Sequence, residues 1–585
     1  MTKSQDQLAF RVYPLDLNVR AAKGLTLRQA LEENGIHVES PCDGEGICGQ
    51  CKVRVHPPLA APETPHANIS TQEAKDGVRL ACQAVPTQDV DVYLPPTYRL
   101  EAGTSSPEDL VLMGKSKPVG EILPAVQVKK EPEGYRLRHE EQGETEHPLL
   151  HWKEGNTPLG LALDVGTTTL AVSLLCLDSG RQLGNVGRLN PQVDYGHDVL
   201  TRIQKASTPE GLDQLAASVQ SALAEMILEV CEQAGKDPEQ ILDAVIGGNT
   251  TMLEICARKD PSPLGQKPFC VSLASGCSYP ASRFGLNIHP QAMVYVPPIA
   301  HAFVGSDISA GLMAIGDFWG SNKRMLFLDV GTNGEMGLSA KGLHLVTSTA
   351  AGPAFEGSGL HSGMRAAPGA VQEVSFDGKD LKLKVIGSGS KPLGICGSGL
   401  LDLVYTLLKL GIIDPSGRLL QGDELSDLPG PLFDRVQELD GKPAVFLGPD
   451  VWLTQADIRQ LQLAKGAVRT GIDFLLDKAG QESRGLERIV IGGGFGNVLR
   501  PASLEGVGML PPGTVDKVVF AGNTSQLGCA RLLLSSPLRR TLENKMAQVE
   551  HIGLAQDADF MEAFVQNMEF PQLEADVINS AVTPR

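Results

Sequence analysis

The chain has 585 residues, of which 42% are hydrophobic and 21% charged, and its formal net charge at pH 7 is −18. Such a composition is that of a globular protein of about two to four domains. The acidic balance excludes a nucleic-acid partner, because phosphate backbones are bound by Lys and Arg. No run of about 18 apolar residues predicts a membrane span, and the N-terminus lacks the pattern of a signal peptide. We therefore expect a cytoplasmic protein with no membrane partner.

The N-terminal hundred residues combine short strands, one helix and a run of cysteines. Alternating apolar residues predict a strand pair over residues 8–20, broken at Pro14, and further strands at 51–55 and 90–94. Thr26 is expected to cap a helix, because it directly precedes an apolar helical pattern.

Four cysteines in this region have the spacing of an iron–sulfur site. Cys42, Cys48 and Cys51 follow C-x5-C-x2-C, and Cys82 comes later in LACQ. Four thiolates are what a 2Fe–2S cluster requires, and the glycines between them let the backbone wrap around the sulfurs. The alternatives are buried structural cysteines or a zinc site, although zinc sites usually pair two C-x2-C units. We predict that these four cysteines are the metal ligands of a 2Fe–2S cluster.

The segment resembles 2Fe–2S ferredoxins over its whole length, with the first spacing of the adrenodoxin-type members. The resemblance implies a one-electron carrier with a β-grasp fold over residues 1–97. Residues 98–122, mixed in composition, are predicted to be a linker; the alternative is an ordered strap. Residues 123–157 are expected to form a small connecting module with a hairpin.

A pattern of strand, glycine turn and strand occurs twice in the remaining chain. Leu163–Thr167 and Leu328–Thr332 share the letters LDVGT at an offset of 165. Each copy is followed by a second glycine-rich strand and turn, at 244–252 and 489–497, and a further one follows at 518–530. Such self-similarity indicates an internal duplication of two α/β halves.

The chemistry of these turns suits ATP with Mg²⁺. Glycine lets the backbone approach phosphate oxygens, and amides and Thr hydroxyls donate to them. Carboxylates facing each other across a cleft hold Mg²⁺ through its waters and orient the attacking water. One such turn alone is explained by a tight hairpin, but two copies in register favour a nucleotide site. The predicted catalytic residues are Asp164 and Asp329, and the predicted nucleotide-binding residues are Gly166, Thr167, Thr168, Gly331, Thr332, Asn333, Gly492, Gly493 and Gly494.

No P-loop and no dinucleotide-binding fingerprint is present in the sequence. The duplicated arrangement resembles the superfamily of actin, sugar kinases and heat-shock ATPases. By that resemblance DVGTTT and DVGTNGE are the two phosphate loops and IGGGFGN is the adenosine motif. Asp307 is interpreted as a connecting carboxylate, with a helix N-cap as the alternative. The lobes are expected at 158–312 and 313–585. The predicted fold class is therefore an α+β multidomain protein: a β-grasp ferredoxin domain followed by a duplicated two-lobed, actin-like α/β ATPase.

The combination of these two parts resembles the reductive activators of corrinoid enzymes over nearly the whole chain. The resemblance implies ATP-dependent one-electron reduction of Co(II) to Co(I), a corrinoid protein partner, an upstream electron donor and a homodimer. One departure is that 123–157 is shorter than the middle domain expected in that family. The strings that carry the resemblance include NPQVDYGHDVLTRI, GGNTTM, YVPPIAHAFVGSDISAG, TAAGPAFEG, GMRAAPGA, GICGSGLLDL, TQADIRQLQLAKGAVRTGI and AGNTSQLGCA.

Other functions stay open on the sequence alone. An iron–sulfur ATPase that activates another enzyme, a redox-sensing ATPase that binds its partner without reducing it, and a small-molecule kinase are the alternatives. TAAGPAFEG and GICGSGLLDL fit either nucleotide contact or close packing. Gln455 and Lys465, on a helix predicted at 454–472, are candidates to reach the cleft, and the more common alternative for Lys465 is a solvated side chain.

Overall fold

The structure of the protein is a computed structural model. It describes residues 7–13, 17–34, 38, 46, 51–57, 59, 69, 74, 77–93, 122–132, 134–140, 146–149, 152–196, 198–320, 323–387, 391–493, 499–554, 557 and 559–573. The chain divides into two compact units: residues 1–99 together with 191–205, and residues 100–190 together with 206–585.

The first unit contains a five-stranded mixed sheet with one helix packed on it. The strand order is β2-β1-β5-β3-β4, with β1 parallel to β5 and the other neighbours antiparallel. Thr26 caps the helix α1 as expected, in a capping box with Gln29. This is the β-grasp arrangement that the sequence predicts. The elements are β1 (Gln7–Tyr13), β2 (Leu17–Ala22), α1 (Leu27–Glu32), β3 (Lys52–His56), β4 (Val78–Leu80), β5 (Val90–Tyr93) and, in the second segment, most of α2 (Val199–Ala206).

The second unit begins with a three-stranded antiparallel sheet in the segment expected as a connecting module. Its strands are β6 (Val126–Glu131), β7 (Gly134–His139) and β8 (Glu146–Pro148), and β6 and β7 form the predicted hairpin. The segment predicted as a linker, 98–122, lies outside the described residues except for Ile122.

A six-stranded sheet carries the first copy of the duplicated pattern. Its order is β11-β10-β9-β12-β14-β13, in which β9 to β11 form an antiparallel meander and β12 runs parallel to β9. All seven residues of β9 are buried, as expected of a central strand. The elements are β9 (Leu159–Val165), β10 (Thr169–Cys176), β11 (Gln182–Leu189), α3 (Pro209–Ala234), β12 (Ile241–Gly248), α4 (Thr250–Cys256), β13 (Cys277–Pro280), β14 (Met293–Val296) and α5 (Ser306–Ala314).

A second six-stranded sheet repeats this arrangement. Its order is β25-β24-β15-β16-β17-β26, again with an antiparallel meander, β15 to β17, and a parallel neighbour, β24. The two sheets confirm the internal duplication, because the same strand order follows both copies of LDVGT. The strands are β15 (Met325–Val330), β16 (Gly334–Ala340), β17 (Leu343–Thr349), β24 (Arg488–Gly492), β25 (Val518–Phe520) and β26 (Glu550–His551).

Two three-stranded sheets and further helices complete the second unit. The remaining elements are β18 (Ala370–Phe376), β19 (Leu381–Val385), β20 (Gly394–Ile395), α6 (Gly397–Lys409), α7 (Gly430–Phe433), β21 (Val436–Leu439), β22 (Lys442–Gly448), β23 (Val451–Thr454), α8 (Gln455–Lys478), α9 (Pro501–Gly506), α10 (Thr524–Leu534), α11 (Ser536–Met546) and α12 (Phe560–Met568). Among the described residues, none of these helices is both long and apolar enough to cross a membrane.

Helix α10 connects the two halves. It follows β25 of the second sheet, yet it packs on β9 and β12 of the first sheet and along α5. Its buried Leu532 and Leu533 share an apolar cluster with Ala162 and Val245 of the first sheet. The segment was expected within the second lobe, at 313–585, whereas its apolar face is buried against the first. The N-terminus of α10 is thereby brought to the end of β9.

Candidate functional site

Two of the four predicted cluster ligands are described, and they lie side by side. The sulfur atoms of Cys51 and Cys82 are 3.2 Å apart, both residues are buried, and neither forms a disulfide. Gly46 between the ligand positions has a φ of +77°, and a Cβ there would come within 3.1 Å of the Gln83 side chain. These features fit a metal cluster bound by thiolates and closely wrapped by the backbone.

Cys42 and Cys48, the other two predicted ligands, lie outside the described residues. Their assignment stays a prediction from the C-x5-C-x2-C spacing.

A cavity of about 300 Å³ lies between the two six-stranded sheets. Its volume is in the range of small-molecule sites. The turns of both LDVGT copies line it, together with residues from the loops that follow other strands. From the predicted site it contains Asp164, Gly166, Thr167, Thr168, Asp307, Asp329, Gly331, Thr332, Asn333 and Gly493; it also contains Asn249, Glu335, Glu356, Arg365, Gln372, Cys396, Ser398, Asn523 and Ser525.

Both phosphate-loop candidates are tight hairpins. The amide of Gly166 donates to the Thr169 carbonyl at 2.9 Å, and the amide of Gly331 donates to the Asn333 carbonyl at 2.9 Å. These two glycine amides are therefore engaged within their own turns. The Thr hydroxyls at the turns face the cavity and are the better candidates for contact with phosphate.

Five carboxyl groups line the cavity, those of Asp164, Asp307, Asp329, Glu335 and Glu356. Asp164 and Glu335 are buried, and Asp307 and Asp329 are half-buried. Desolvation, together with the neighbouring charges of Asp329 and Asp164, raises the pKa of Asp307 to about 8. Desolvation and the charge of Asp164 raise the pKa of Asp329 to about 7. The pKa of Glu335 is raised well above its usual value by burial and by Asp307 and Asp329.

Such an accumulation of acids is the environment of a bound cation, because a divalent ion relieves both the desolvation and the mutual repulsion. Within the described part of the chain, no three His, Cys, Asp or Glu side chains are arranged to ligate a metal directly. Mg²⁺ usually keeps several of its waters and takes one or two carboxylates together with phosphate oxygens. The residues present therefore fit a hydrated Mg²⁺ that arrives with a nucleotide.

Asp164 is held by residues from the start of α10. The Asn523 amide donates to Asp164 Oδ2 and the Ser525 hydroxyl to Asp164 Oδ1, each at 2.7 Å. Burial raises the pKa of Asp164, and these two hydrogen bonds lower it. Neither donor was among the predicted site residues, although both lie in the string AGNTSQLGCA, whose GNT resembles GGNTT around Asn249.

Only part of the predicted adenosine motif reaches the cavity. Gly493 lines it, with a φ of +91°, and a Cβ there would lie 2.7 Å from an Asp329 carboxylate oxygen. Gly492 is not among the lining residues; a Cβ there would come within 2.6 Å of the Thr524 hydroxyl, so this glycine serves close packing. Gly494 lies outside the described residues.

The strings TAAGPAFEG and GICGSGLLDL contain closely packed backbone as well as residues that line the cavity. A Cβ on Gly397 would lie 1.7 Å from the Phe355 carbonyl, so the two backbones touch. Glu356 and Ser398, next to these contacts, line the cavity. Close packing therefore holds at Gly397 and Phe355, whereas contact of these strings with a nucleotide stays a prediction.

Two candidates for the cleft lie elsewhere. The Gln455 amide donates to the Gly417 carbonyl and its oxygen accepts from the Leu419 amide, so it holds a neighbouring loop. Lys465 is 1% exposed and donates to the Glu569 carbonyl in the C-terminal segment. Neither residue lines the cavity, because the face of α8 that carries them packs on other segments.

The fold and the cavity define a class: a ferredoxin domain followed by a two-lobed ATPase of the actin-like type. Residues 10–87 match the 2Fe–2S iron–sulfur cluster binding domain. Residues 159–316 match the RACo middle region, and residues 323–581 match the C-terminal domain of RACo, the ASKHA domain. The chain belongs to the RACo family of reductive activators of corrinoid proteins.

Individual relatives agree with this assignment. The chain is 34% identical to the corrinoid activation enzyme RamQ of Eubacterium limosum over 70% of each chain. It is 25% identical to the [Co(II) methylated amine-specific corrinoid protein] reductase of Methanosarcina barkeri, over 70% of this chain and 77% of that one. A solved structure, a reductive activator for corrinoid, iron–sulfur protein, covers 96% of this chain and 98% of its own at 27% identity and a TM-score of 0.67.

The family match also corrects one expectation. The family's middle region corresponds to residues 159–316, which form the first six-stranded sheet and its helices. We expected to find a shortened counterpart of a middle domain at 123–157, a segment that precedes the matched region.

Proposed function

We propose that this protein transfers one electron to Co(II) in a corrinoid protein, yielding Co(I), and that ATP with Mg²⁺ bound in the cavity drives the transfer. The observation that carries the proposal is the pairing of two phosphate-loop hairpins around one acid-lined cavity, in a chain that also holds ferredoxin-type thiols. The relatives named above act on corrinoid proteins, which supports the choice of acceptor.

The electron balance is simple. A 2Fe–2S cluster held by Cys51, Cys82 and the predicted ligands Cys42 and Cys48 supplies single electrons when bound. Each Co(II) that becomes Co(I) would take up one such electron, and an upstream one-electron donor would have to replace it.

ATP acts by favouring one state of the complex over another, because a ligand shifts an equilibrium only through differential binding. The cavity residues come from both six-stranded sheets, so phosphates bound there contact both halves. Closure of the halves on the nucleotide is the event that we expect the corrinoid partner to sense. Hydrolysis to ADP and phosphate would then reset the protein.

Mg²⁺ would be held through its waters by Asp164, Asp307, Asp329 and Glu335. These residues carry raised pKa values without a cation, so a divalent ion would favour their charged forms. Asp329 lies beside the second phosphate loop and is our choice for orienting the attacking water, with Asp164 on the opposite side. We also propose that the protein is a homodimer and that it is located in the cytoplasm.

The decisive experiment adds reduced protein and MgATP to candidate Co(II) corrinoid proteins and follows the absorption of Co(I). We expect Co(I) to accumulate with ATP, to be limited to a single turnover with a non-hydrolysable analogue, which closes the halves but cannot reset them, and to be formed only slowly by the Asp329→Ala variant. Binding of the partner without formation of Co(I), in a protein whose cluster is reduced, would instead indicate a redox-sensing ATPase. Co(I) formation by Asp329→Ala without nucleotide would contradict the role of ATP.

A further inference from the structure

One carboxylate joins the two phosphate-loop candidates. The hydroxyl of Thr168, in the first loop, donates to Glu356 Oε2 at 2.9 Å. The hydroxyl of Thr332, in the second loop, donates to Glu356 Oε1 at 2.9 Å. The two oxygens of the Glu356 carboxylate therefore each accept a hydrogen bond from one of the two loops. Glu356 and Thr168 lie 188 residues apart in the sequence.

The backbone around Glu356 fixes this position. It ends a short 3-10 helix, Pro353–Glu356, flanked by Gly352 at a φ of +79° and Gly357 at +71°. The amide of Gly352 donates to the Thr332 carbonyl at 2.8 Å. A Cβ on Gly357 would lie 2.1 Å from the Met364 carbonyl, so the segment folds tightly back on itself. Glu356 is thus presented to the loops by a packed wall of the cavity.

The chemistry of this contact resembles that of a bound phosphate. An ionised carboxylate only accepts hydrogen bonds, as phosphate oxygens do, and both form charge-assisted bonds with hydroxyl donors. A Thr hydroxyl has one proton to donate. Glu356 and a nucleotide phosphate therefore compete for the same two donors, and their negative charges also repel each other.

We propose that Glu356 is a positioning residue that occupies the hydroxyls of both phosphate loops until the phosphates of the nucleotide displace it. The inference rests on nucleotide binding in this cavity, which is part of the proposed function. It adds that the nucleotide-free state is held by a specific internal competitor. When phosphate displaces Glu356, its carboxylate would leave both loops at once. Phosphate binding would thereby be transmitted to the cavity wall that carries Glu356.

The test compares nucleotides with and without phosphate. Glu356→Gln keeps the size of the side chain and one acceptor oxygen but removes its charge, and Glu356→Ala removes it altogether. Calorimetry or a fluorescent competitor would measure the affinity for ATP, ADP and adenosine, without Mg²⁺ so that metal ligation does not enter. We expect both variants to bind ATP and ADP about tenfold more tightly, because the charged competitor for the Thr168 and Thr332 hydroxyls is gone, and to bind adenosine as the wild type does.

The test includes a control variant and a measurement of the coupling between Glu356 and the two threonines. Glu373→Gln, a glutamate on β18 that pairs with Lys384 outside the cavity, should change nothing. In a Thr168→Val/Thr332→Val background, Glu356→Gln should lose most of its effect, because the donors that it would release are gone.

Weaker or unchanged ATP binding by both Glu356 variants would overturn the inference, as would an equal change for adenosine, which would indicate a merely structural role. Either result leaves wild-type nucleotide binding intact and so leaves the proposed function standing. Absence of ATP binding by the wild type itself would overturn the nucleotide site and this inference together.

Discussion

The carboxylate of Asp164 and the amide of Asn523 are joined by a hydrogen bond of 2.7 Å although 359 residues separate them in the sequence. Asp164 ends the central strand of the first sheet, and Asn523 caps a helix that follows a strand of the second. The neighbouring Ser525 hydroxyl donates a hydrogen bond to the other oxygen of the Asp164 carboxylate. Asp164 is therefore oriented from the opposite half of the duplicated fold.

Replacing Asn523 by Ala should reduce ATP hydrolysis and move its dependence on pH. The hydrogen bonds from Ser525 and Asn523 lower the pKa of Asp164 against the effect of burial. Without the Asn523 donor that pKa rises, so the ionised carboxylate forms only at higher pH. The acid limb of the pH–rate profile should shift upward, which steady-state ATPase assays would measure. Ser179→Ala, at an exposed site, should leave the profile in place; a fall in rate with no shift of the limb would contradict this role.

Replacing Cys82 by Ser should separate the two activities of the protein. A serine is a poor substitute for a thiolate ligand, so the visible absorption of the 2Fe–2S cluster should be lost or strongly altered. ATP binding should persist, because the cavity lies in the other compact unit of the chain. Absorption spectra and nucleotide titrations of the same preparation would measure both. Cys270→Ser, an exposed cysteine, is the matched control, and an unchanged spectrum in the Cys82 variant would exclude Cys82 as a ligand.

Replacing Gly397 by Ala should destabilise the wall of the cavity. The new Cβ would lie 1.7 Å from the Phe355 carbonyl, a backbone atom that has little room to move. We expect a loss of roughly 2 kcal/mol or more in unfolding free energy, seen as a lower melting temperature, because the backbone at Phe355 must shift to make room for the new methyl group. Gly430→Ala, where a Cβ meets nothing within 4 Å, should be neutral. A Gly397 variant as stable as the wild type would show that the wall adapts.

The buried Lys465 should make stability depend on pH. Desolvation, with a smaller contribution from the charge of Arg469, lowers the pKa of Lys465 from 10.5 to about 7 in the folded protein. Between about pH 7 and 10.5 the unfolded chain binds more protons at this site, so the stability contributed by the group rises with pH across that window and is least below it. Lys465→Met should remove this slope in melting temperatures measured from pH 6 to 10.

Lys478→Met provides the control on the same helix, because that lysine is 54% exposed and pairs with Glu550. It should leave the pH dependence unchanged. A slope that persists in Lys465→Met would mean that other groups produce it.

Much of the fold could be predicted because its signals are local. The alternation of apolar residues predicts the ferredoxin strands, Thr26 predicts its helix cap, and the two LDVGT copies predict hairpins that form in register in both sheets. These features depend on residues close to one another in the chain, where spacing and residue type decide the geometry. The position of helix α10 could not be predicted from such signals. Its apolar pattern shows that one face of the helix is buried, but not which half of the fold covers that face.

The candidate site divides in the same way. Its phosphate-loop residues and its two catalytic candidates were predicted from repeated motifs and line one cavity. Of the predicted adenosine motif, Gly493 lines the cavity, Gly492 packs against Thr524 and Gly494 lies outside the described residues. Asn523, Ser525 and Glu356 lie within strings that carry the family resemblance, but they were not predicted as site residues. Nothing in their local sequence indicates which distant residue each of them contacts. Lys465 was a candidate for the cleft or for a solvated position, and it is at neither. Periodicity shows which residues share a helix face, but not what covers that face.

By itself, the sequence determined the chemical inventory of this protein: thiols at ligand spacing and two glycine hairpins with their carboxylates, joined in one chain. Only the tertiary structure decided how these groups act on one another. It buried Asp307 and Asp329 together, which raises their pKa values to about 8 and about 7, and it placed Glu356 between Thr168 and Thr332. The physical reason is that desolvation and hydrogen bonding depend on distances in space, which chain folding sets across hundreds of residues.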